Sequence, residues 1–224
     1  MDYILVPMQI THNTFNVRRT AHIYSCGEIS SSTEELWVLL HGYSQEADVF
    51  LREFEILVDD RRVLLAPQGL SQFYSGGTGG RTAASWMTRS HRKYEINDYL
   101  NYLDHILFSW IEKFPNKTSV HLLGFSQGAE TAFRWYVASN YKFDHLIICS
   151  GLMPHDIEVS HLQTRVSESK LSLIHGEDDR LIPNEIREEI YDELRQKNIL
   201  FDHHTFNGGH RIDPESVIKT IPSL

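Results

Sequence analysis

Val120-His121-Leu122-Leu123-Gly124-Phe125-Ser126-Gln127-Gly128-Ala129-Glu130-Thr131-Ala132-Phe133 is the stretch on which the fold turns. Val120 to Leu123 reads as an apolar strand of the kind buried in a sheet core. Gly124-Phe125-Ser126-Gln127-Gly128 has the pattern G-x-S-x-G, whose small flanking residues permit a sharp turn. Ala129, Ala132 and Phe133 then mark a helical segment over Gln127 to Ser139. Strand, tight turn and helix in direct succession begin a βα unit.

The same alternation extends both ways. Upstream, Leu36 to Leu40 and Val63 to Ala66 are short apolar runs, with a helical stretch at Glu46 to Val58 between them and another at Ile96 to Phe114. Downstream come strands at His145 to Cys149, Leu171 to His175 and Leu200 to Phe206, and helices at Asn184 to Lys197 and Pro214 to Ile221. Such an order predicts an α/β fold with a mostly parallel central sheet and helices on both faces. Tyr3 to Val6 and Thr14 to Tyr24, joined by a turn at His12-Asn13, read as an antiparallel N-terminal edge. No linker, repeat or shift in composition divides residues 1–224, so one domain is expected. Two segments carry no clear pattern, 68–94 with its Gly76-Gly77-Thr78-Gly79-Gly80 run, and 152–170. Both follow strands, and ligands bind outside the carboxyl ends of parallel strands, so both are candidate pocket walls.

The 224 residues suffice for a sizeable core, with 41% hydrophobic content. A formal net charge of -9 argues against a nucleic-acid partner, whose binding needs clustered positive charge. The first residues lack a signal-peptide pattern and no apolar run reaches membrane-spanning length, so a cytoplasmic protein without a membrane span is expected. Cys26 and Cys149 are then expected to be free thiols.

Chance alone places G-x-S-x-G in about one chain in fifteen of this length, so the strand before it and the helix after it carry the argument. In that context Ser126 is a candidate nucleophile, against the competing reading of an idle serine in a glycine-rich turn. A serine hydroxyl is weak until a base takes its proton, and the base needs a carboxylate to orient it. Of 13 histidines, His210 follows the last strand within Gly208-Gly209-His210, and the two glycines permit a tight turn back over the sheet. His41 also ends a strand but precedes the serine, and is read as structural. His91, His155 and His161 suit the surface. The acid is expected in His175-Gly176-Glu177-Asp178-Asp179, after the strand that ends at His175. If that loop is extended, side chains alternate, and Glu177 and Asp179 share one side. Either then serves. Backbone N–H groups of Gln127, and of Tyr43 in His41-Gly42-Tyr43-Ser44, are the candidate oxyanion donors.

Four motifs in order, HGYSQ at 41–45, GFSQGA at 124–129, HGEDDRLIP at 175–183 and GGH at 208–210, resemble the phospholipase/carboxylesterase family of α/β-hydrolases, which includes acyl-protein thioesterases and small bacterial carboxylesterases. The resemblance implies the α/β-hydrolase fold and no metal or cofactor. It puts Ser126, Asp179 and His210 in the catalytic places, and Tyr43 and Gln127 in the oxyanion places. Among the acids it selects Asp179, because the family has two acids separated by one residue shortly before a Val-Pro or Ile-Pro pair. Ser85-Trp86 and Ser150-Gly151-Leu152-Met153-Pro154 resemble segments lining the acyl site, which implies substrate contacts at Trp86, Leu152 and Met153. The chain departs from the family at Ser44, usually glycine, at Glu177, usually aspartate, and at Met87-Thr88-Arg89, where the family usually has phenylalanine and aspartate.

These readings converge on a serine hydrolase of carboxylic esters with short to medium acyl chains, working through an acyl-enzyme on a small-molecule ester. An acyl thioesterase is the nearest alternative, since the same triad serves both. A non-catalytic ligand-binding module on the same fold is the more distant one.

Overall fold

The structure, a computed structural model, describes residues 8–115 and 117–221. Seven strands form the main sheet: β1 (Ile23–Cys26), β2 (Glu35–Leu40), β3 (Arg62–Pro67), β6 (Ser119–Phe125), β7 (His145–Cys149), β8 (Lys170–Gly176) and β9 (Asp202–Phe206). Their order is β1-β3-β2-β6-β7-β8-β9, parallel throughout except for β1 against β3. This is the architecture expected from the βα alternation.

Side chains alternate between the two faces, as strand geometry requires. Leu36, Val38, Leu40, Val120, Leu122, Leu146 and Ile148 pack beneath α2 (Arg92–Ile111), α3 (Gln127–Ala138), α4 (Val159–Val166) and α5 (Asn184–Gln196). Trp37, Leu39, Leu64, Leu123, Ile147 and Ile174 pack on the other face beneath α1 (Ala47–Arg52) and α6 (Pro214–Lys219). All six residues of β2 are buried, which explains why its sequence shows no alternation of polarity.

The N-terminal edge is shorter than its composition suggests. Residues 8–22 have no regular secondary structure, and the strand expected at Thr14 to Tyr24 exists only from Ile23. A strand needs an opposing ladder, and β3 ends at Pro67, the partner of Ile23. Phe15 and Val17 lie beyond that point, exposed. The run Tyr3 to Val6 falls outside the described residues. The helical stretch at Glu46 to Val58 is α1 followed by a 3-10 turn at Glu55–Leu57.

Both unassigned segments contain regular structure. Residues 68–94 hold a hairpin, β4 (Ser71–Ser75) and β5 (Arg81–Ser85), paired antiparallel around the glycine run. Residues 152–170 hold α4. Among the described residues, no helix is long and apolar enough to cross a membrane.

The sheet order reverses between β2 and β6, because the chain runs outward from β2 to β3 and restarts on the other side at β6. Leu40 pairs with Gly124, so the loops leaving both strands start at one level. A ligand crevice belongs at such a switch point.

Candidate active site

Ser126 sits between β6 and α3 with φ 53° and ψ -117°, a conformation that L residues rarely adopt. Two bare glycines allow this turn. A Cβ on Gly124 would meet the Gly128 carbonyl oxygen at 2.3 Å, and one on Gly128 would meet the Leu40 oxygen at 2.1 Å. The turn lifts the hydroxyl from the sheet and lets α3 start directly over β2.

His210 Nε2 lies 2.8 Å from Ser126 Oγ, and His210 Nδ1 lies 2.8 Å from Asp179 Oδ2. With the Nδ1 proton donated to the carboxylate, the Nε2 lone pair faces the serine hydroxyl. Asp179 has no exposed side-chain surface, and its Oδ1 accepts the N–H groups of Leu181 at 2.9 Å and Ile182 at 3.1 Å. Glu177 and Asp178 are exposed. The Glu177 carboxylate takes the Thr205 hydroxyl at 3.1 Å. Glu177 and Asp178 form a turn, so the side chains of 177–179 do not alternate as in an extended strand. Burial and three converging donors distinguish Asp179.

The Gly208-Gly209 pair works differently from the tight turn expected of it, since neither residue has positive φ. The bare position that matters is Gly176 at the end of β8. A Cβ there would meet the Gly208 and Gly209 carbonyl oxygens, each at 2.4 Å. The acid loop and the histidine loop therefore close on each other only over a glycine. The Phe125 ring, 5.2 Å from the His210 ring, backs the imidazole from below.

His41 is fully buried, with Nδ1 2.8 Å from the Gly42 carbonyl and Nε2 accepting the Gly69 N–H at 2.9 Å. Burial pushes its pKa down to about 4, so it holds the loop as a neutral group. His175 is likewise pushed down to about 4, chiefly by burial, between Tyr191 and the Gly151 carbonyl. Both fill structural places, as expected for His41.

No backbone hydrogen bond among the described residues uses the N–H groups of Tyr43 and Gln127. They flank the switch point after β2 and β6. Ser44, where the family usually has glycine, keeps the left-handed conformation at φ 64°. Its N–H donates to the Ala84 carbonyl at 2.9 Å, which fixes the loop without a glycine.

The three residues implied to touch substrate lie in two environments. Trp86 is 1% exposed, packed against His41 and Tyr99, with its indole N–H donating to the His41 carbonyl at 2.8 Å. Leu152 and Met153 are half-buried and line a groove of about 600 Å³ together with Pro154, Ile157, Ile186 and Ile190, and with the charged Arg92, Glu130, Glu189 and Glu193. Gly151, the residue before Leu152, packs against the nucleophile turn, since a Cβ there would stand 3.4 Å from the Ser126 carbonyl oxygen. Among the described residues, no group of three or more His, Cys, Asp or Glu is placed to hold a metal ion.

The sequence profile described as Phospholipase/Carboxylesterase matches residues 26–224. The chain belongs to that family. Its structure is similar to that of Zea mays acyl-protein thioesterase 2, with 17% identity over 89% of this chain and 96% of the other and a TM-score of 0.68. It is similar also to esterase PE8 (21% identity, 90% and 96% covered, TM-score 0.66) and to the Bacillus cereus carboxylesterase (18%, 89% and 91%, TM-score 0.66). Identities this low show a shared fold. No curated protein matches the chain in sequence. Membership in this family of hydrolases makes the chain a hydrolase of the esterase and thioesterase kind.

The sequence reading missed the β4–β5 hairpin, the side-chain roles of Gln45 and Gln127, and Gly176. The hairpin had a signal, two short runs around a glycine cluster. Gln127 and Gly176 act through contacts distant in sequence, and the bond from the Gly42 N–H to Gln45 Oε1 leaves no motif.

Proposed function

We propose that this family member hydrolyses carboxylic esters of short to medium acyl chains, with Ser126 as nucleophile, His210 as base and Asp179 as the residue orienting it. The observation that carries the reading is the Ser126–His210–Asp179 relay, with both links at 2.8 Å, on a strained elbow. His210 Nε2 takes the serine proton as Oγ bonds to the acyl carbon, and the former carbonyl oxygen accepts the Tyr43 and Gln127 N–H groups. Collapse expels the alcohol, which receives the proton from His210, and leaves an acyl-serine. Water, deprotonated by the same imidazole, then releases the acid. Asp179 orients the imidazole and stabilises its imidazolium form.

In this reading residues 1–224 act as one unit, and Leu152 and Met153 receive the acyl chain in the groove they line. Trp86 contributes from behind, as the buried anchor of segment 85–87. A thioester fits the same geometry.

The test is labelling of Ser126 by a fluorophosphonate, together with hydrolysis of p-nitrophenyl esters and acyl thioesters of graded length. Labelling and turnover that both vanish in Ser126→Ala support the reading. Folded protein that neither labels nor turns over any of these substrates overturns it in favour of a ligand-binding module. The ratio of ester to thioester rates assigns the substrate class.

A further inference from the structure

The two candidate oxyanion donors do not touch each other, yet side chains and one strand end link them in a closed circuit. On the α3 side, Gln127 Oε1 accepts the Trp86 N–H at 3.0 Å and lies 3.1 Å from the Ser85 hydroxyl. Its Nε2 donates to the Met87 carbonyl at 2.8 Å. One carboxamide thus grips three consecutive residues at the end of β5. On the β2 side, Ala84, the residue just before them, accepts from the Ser44 N–H at 2.9 Å and donates to the Gln45 carbonyl at 3.1 Å. Gln45 closes the circuit, because its Oε1 accepts the Gly42 N–H at 2.7 Å. Tyr43 lies inside this loop.

We propose that the side chains of Gln127 and Gln45 are positioning residues that set the separation of the Tyr43 and Gln127 N–H donors through residues 84–87. The proposal rests on the function proposed above. Gln127 commits both ends of its carboxamide to residues 85–87, and Gln45 commits its acceptor oxygen to Gly42. An exposed loop carrying an oxyanion donor is otherwise free to drift, and Ser44 adds strain by occupying a left-handed position without being glycine. Donors placed about 1 Å wrongly cost on the order of 10²-fold in rate, as does the loss of one donor. The chemistry also predicts which atoms matter. At position 45 only the acceptor oxygen is used, so glutamate serves as well as glutamine. At position 127 both ends are used, so glutamate loses the bond to Met87.

The experiment compares Gln45→Met, Gln45→Glu and Gln127→Glu in the full chain, with kcat and KM for a short ester and the affinity of an alkyl boronic acid, which forms a tetrahedral adduct on serine. The expected result is a kcat lower by about 10²-fold and a weakened boronate for Gln45→Met and Gln127→Glu, at nearly constant KM and unchanged near-ultraviolet circular dichroism, with Gln45→Glu close to wild type. Wild-type kcat and boronate affinity in both Gln45→Met and Gln127→Glu overturn the proposal. So does a loss carried by KM alone, or a Gln45→Glu protein as poor as Gln45→Met. If Gln45→Met fails to fold, the Gln127→Glu kcat and boronate affinity decide alone. Absence of turnover in wild-type protein overturns the function reading instead, whereas an active wild type with indifferent glutamine variants overturns only this inference.

Discussion

Asp179 holds His210 with one carboxylate oxygen, Oδ2 at 2.8 Å from Nδ1, and is itself held by the other, Oδ1, on the Leu181 and Ile182 N–H groups. A carboxylate fixed in this way cannot rotate away from the imidazole. Three N–H donors converge on the buried carboxylate, two from the backbone and one from the imidazole. The position is therefore sensitive to a change of one atom.

Asp179→Asn is expected to cost on the order of 10⁴ in kcat, the scale set by a serine protease whose buried aspartate was replaced by the amide. The amide presents an N–H where the imidazole needs an acceptor. Glu177→Gln and Asp178→Asn, both at exposed sites, are expected to stay within about threefold of wild type. Turnover of the three proteins at saturating ester, with folding checked by circular dichroism, decides the assignment, and a large loss at either neighbour reverses it.

Ser126→Ala is expected to lower kcat by more than about 10³-fold while the protein remains folded, because the backbone turn relies on Gly124 and Gly128. Retention of more than about a tenth of wild-type activity excludes covalent catalysis at this serine.

Met153→Trp is expected to shorten the preferred acyl chain. The added volume goes into the groove of about 600 Å³ that Met153 lines, and medium chains lose kcat/KM while acetyl esters keep it. An unchanged acyl-length profile removes the groove from the substrate path.

Trp86→Ala is first a core deletion. At 1% exposure, and with its N–H satisfied by the His41 carbonyl, its loss is expected to cost about 3–5 kcal/mol, read as a shift in the denaturant midpoint. A shift under about 1 kcal/mol indicates that the site collapses or hydrates cheaply.

Stability is expected to fall on acidification below pH 6.5. Burial holds His41 and His175 at about 4 and His145 at about 3, against 6.5 for the free side chain. Between these values and 6.5 the unfolded chain binds protons that the folded chain refuses. Each histidine therefore adds a stabilising slope that is lost as pH falls, at most about 1.4 kcal/mol per pH unit. Urea midpoints at pH 7, 6 and 5 measure this, and a constant midpoint shows that these rings accept protons in place.

The sequence by itself determined the layered α/β fold, because burial on both faces writes itself into β2 as the unbroken apolar run Leu36 to Leu40 and the alternation with helices admits few topologies. It determined the elbow too, since G-x-S-x-G is a local solution to a local steric problem: Gly124 and Gly128 stand within two residues of Ser126. It overestimated the N-terminal edge, because β-propensity in Thr14 to Tyr24 carries no record of where β3 stops. Tertiary structure alone decided the rest. Glu177 and Asp179 are chemically equivalent in a linear reading. They differ only because one side chain turns into a buried pocket with backbone donors, whereas the other faces Thr205 at the surface. The same holds for Gln127, whose partners Ser85, Trp86 and Met87 lie 40 to 42 residues away in sequence. Local sterics are encoded within a few residues, and the assembly of a site from β2, β5, β6, β8 and β9 is encoded only in how those strands pack.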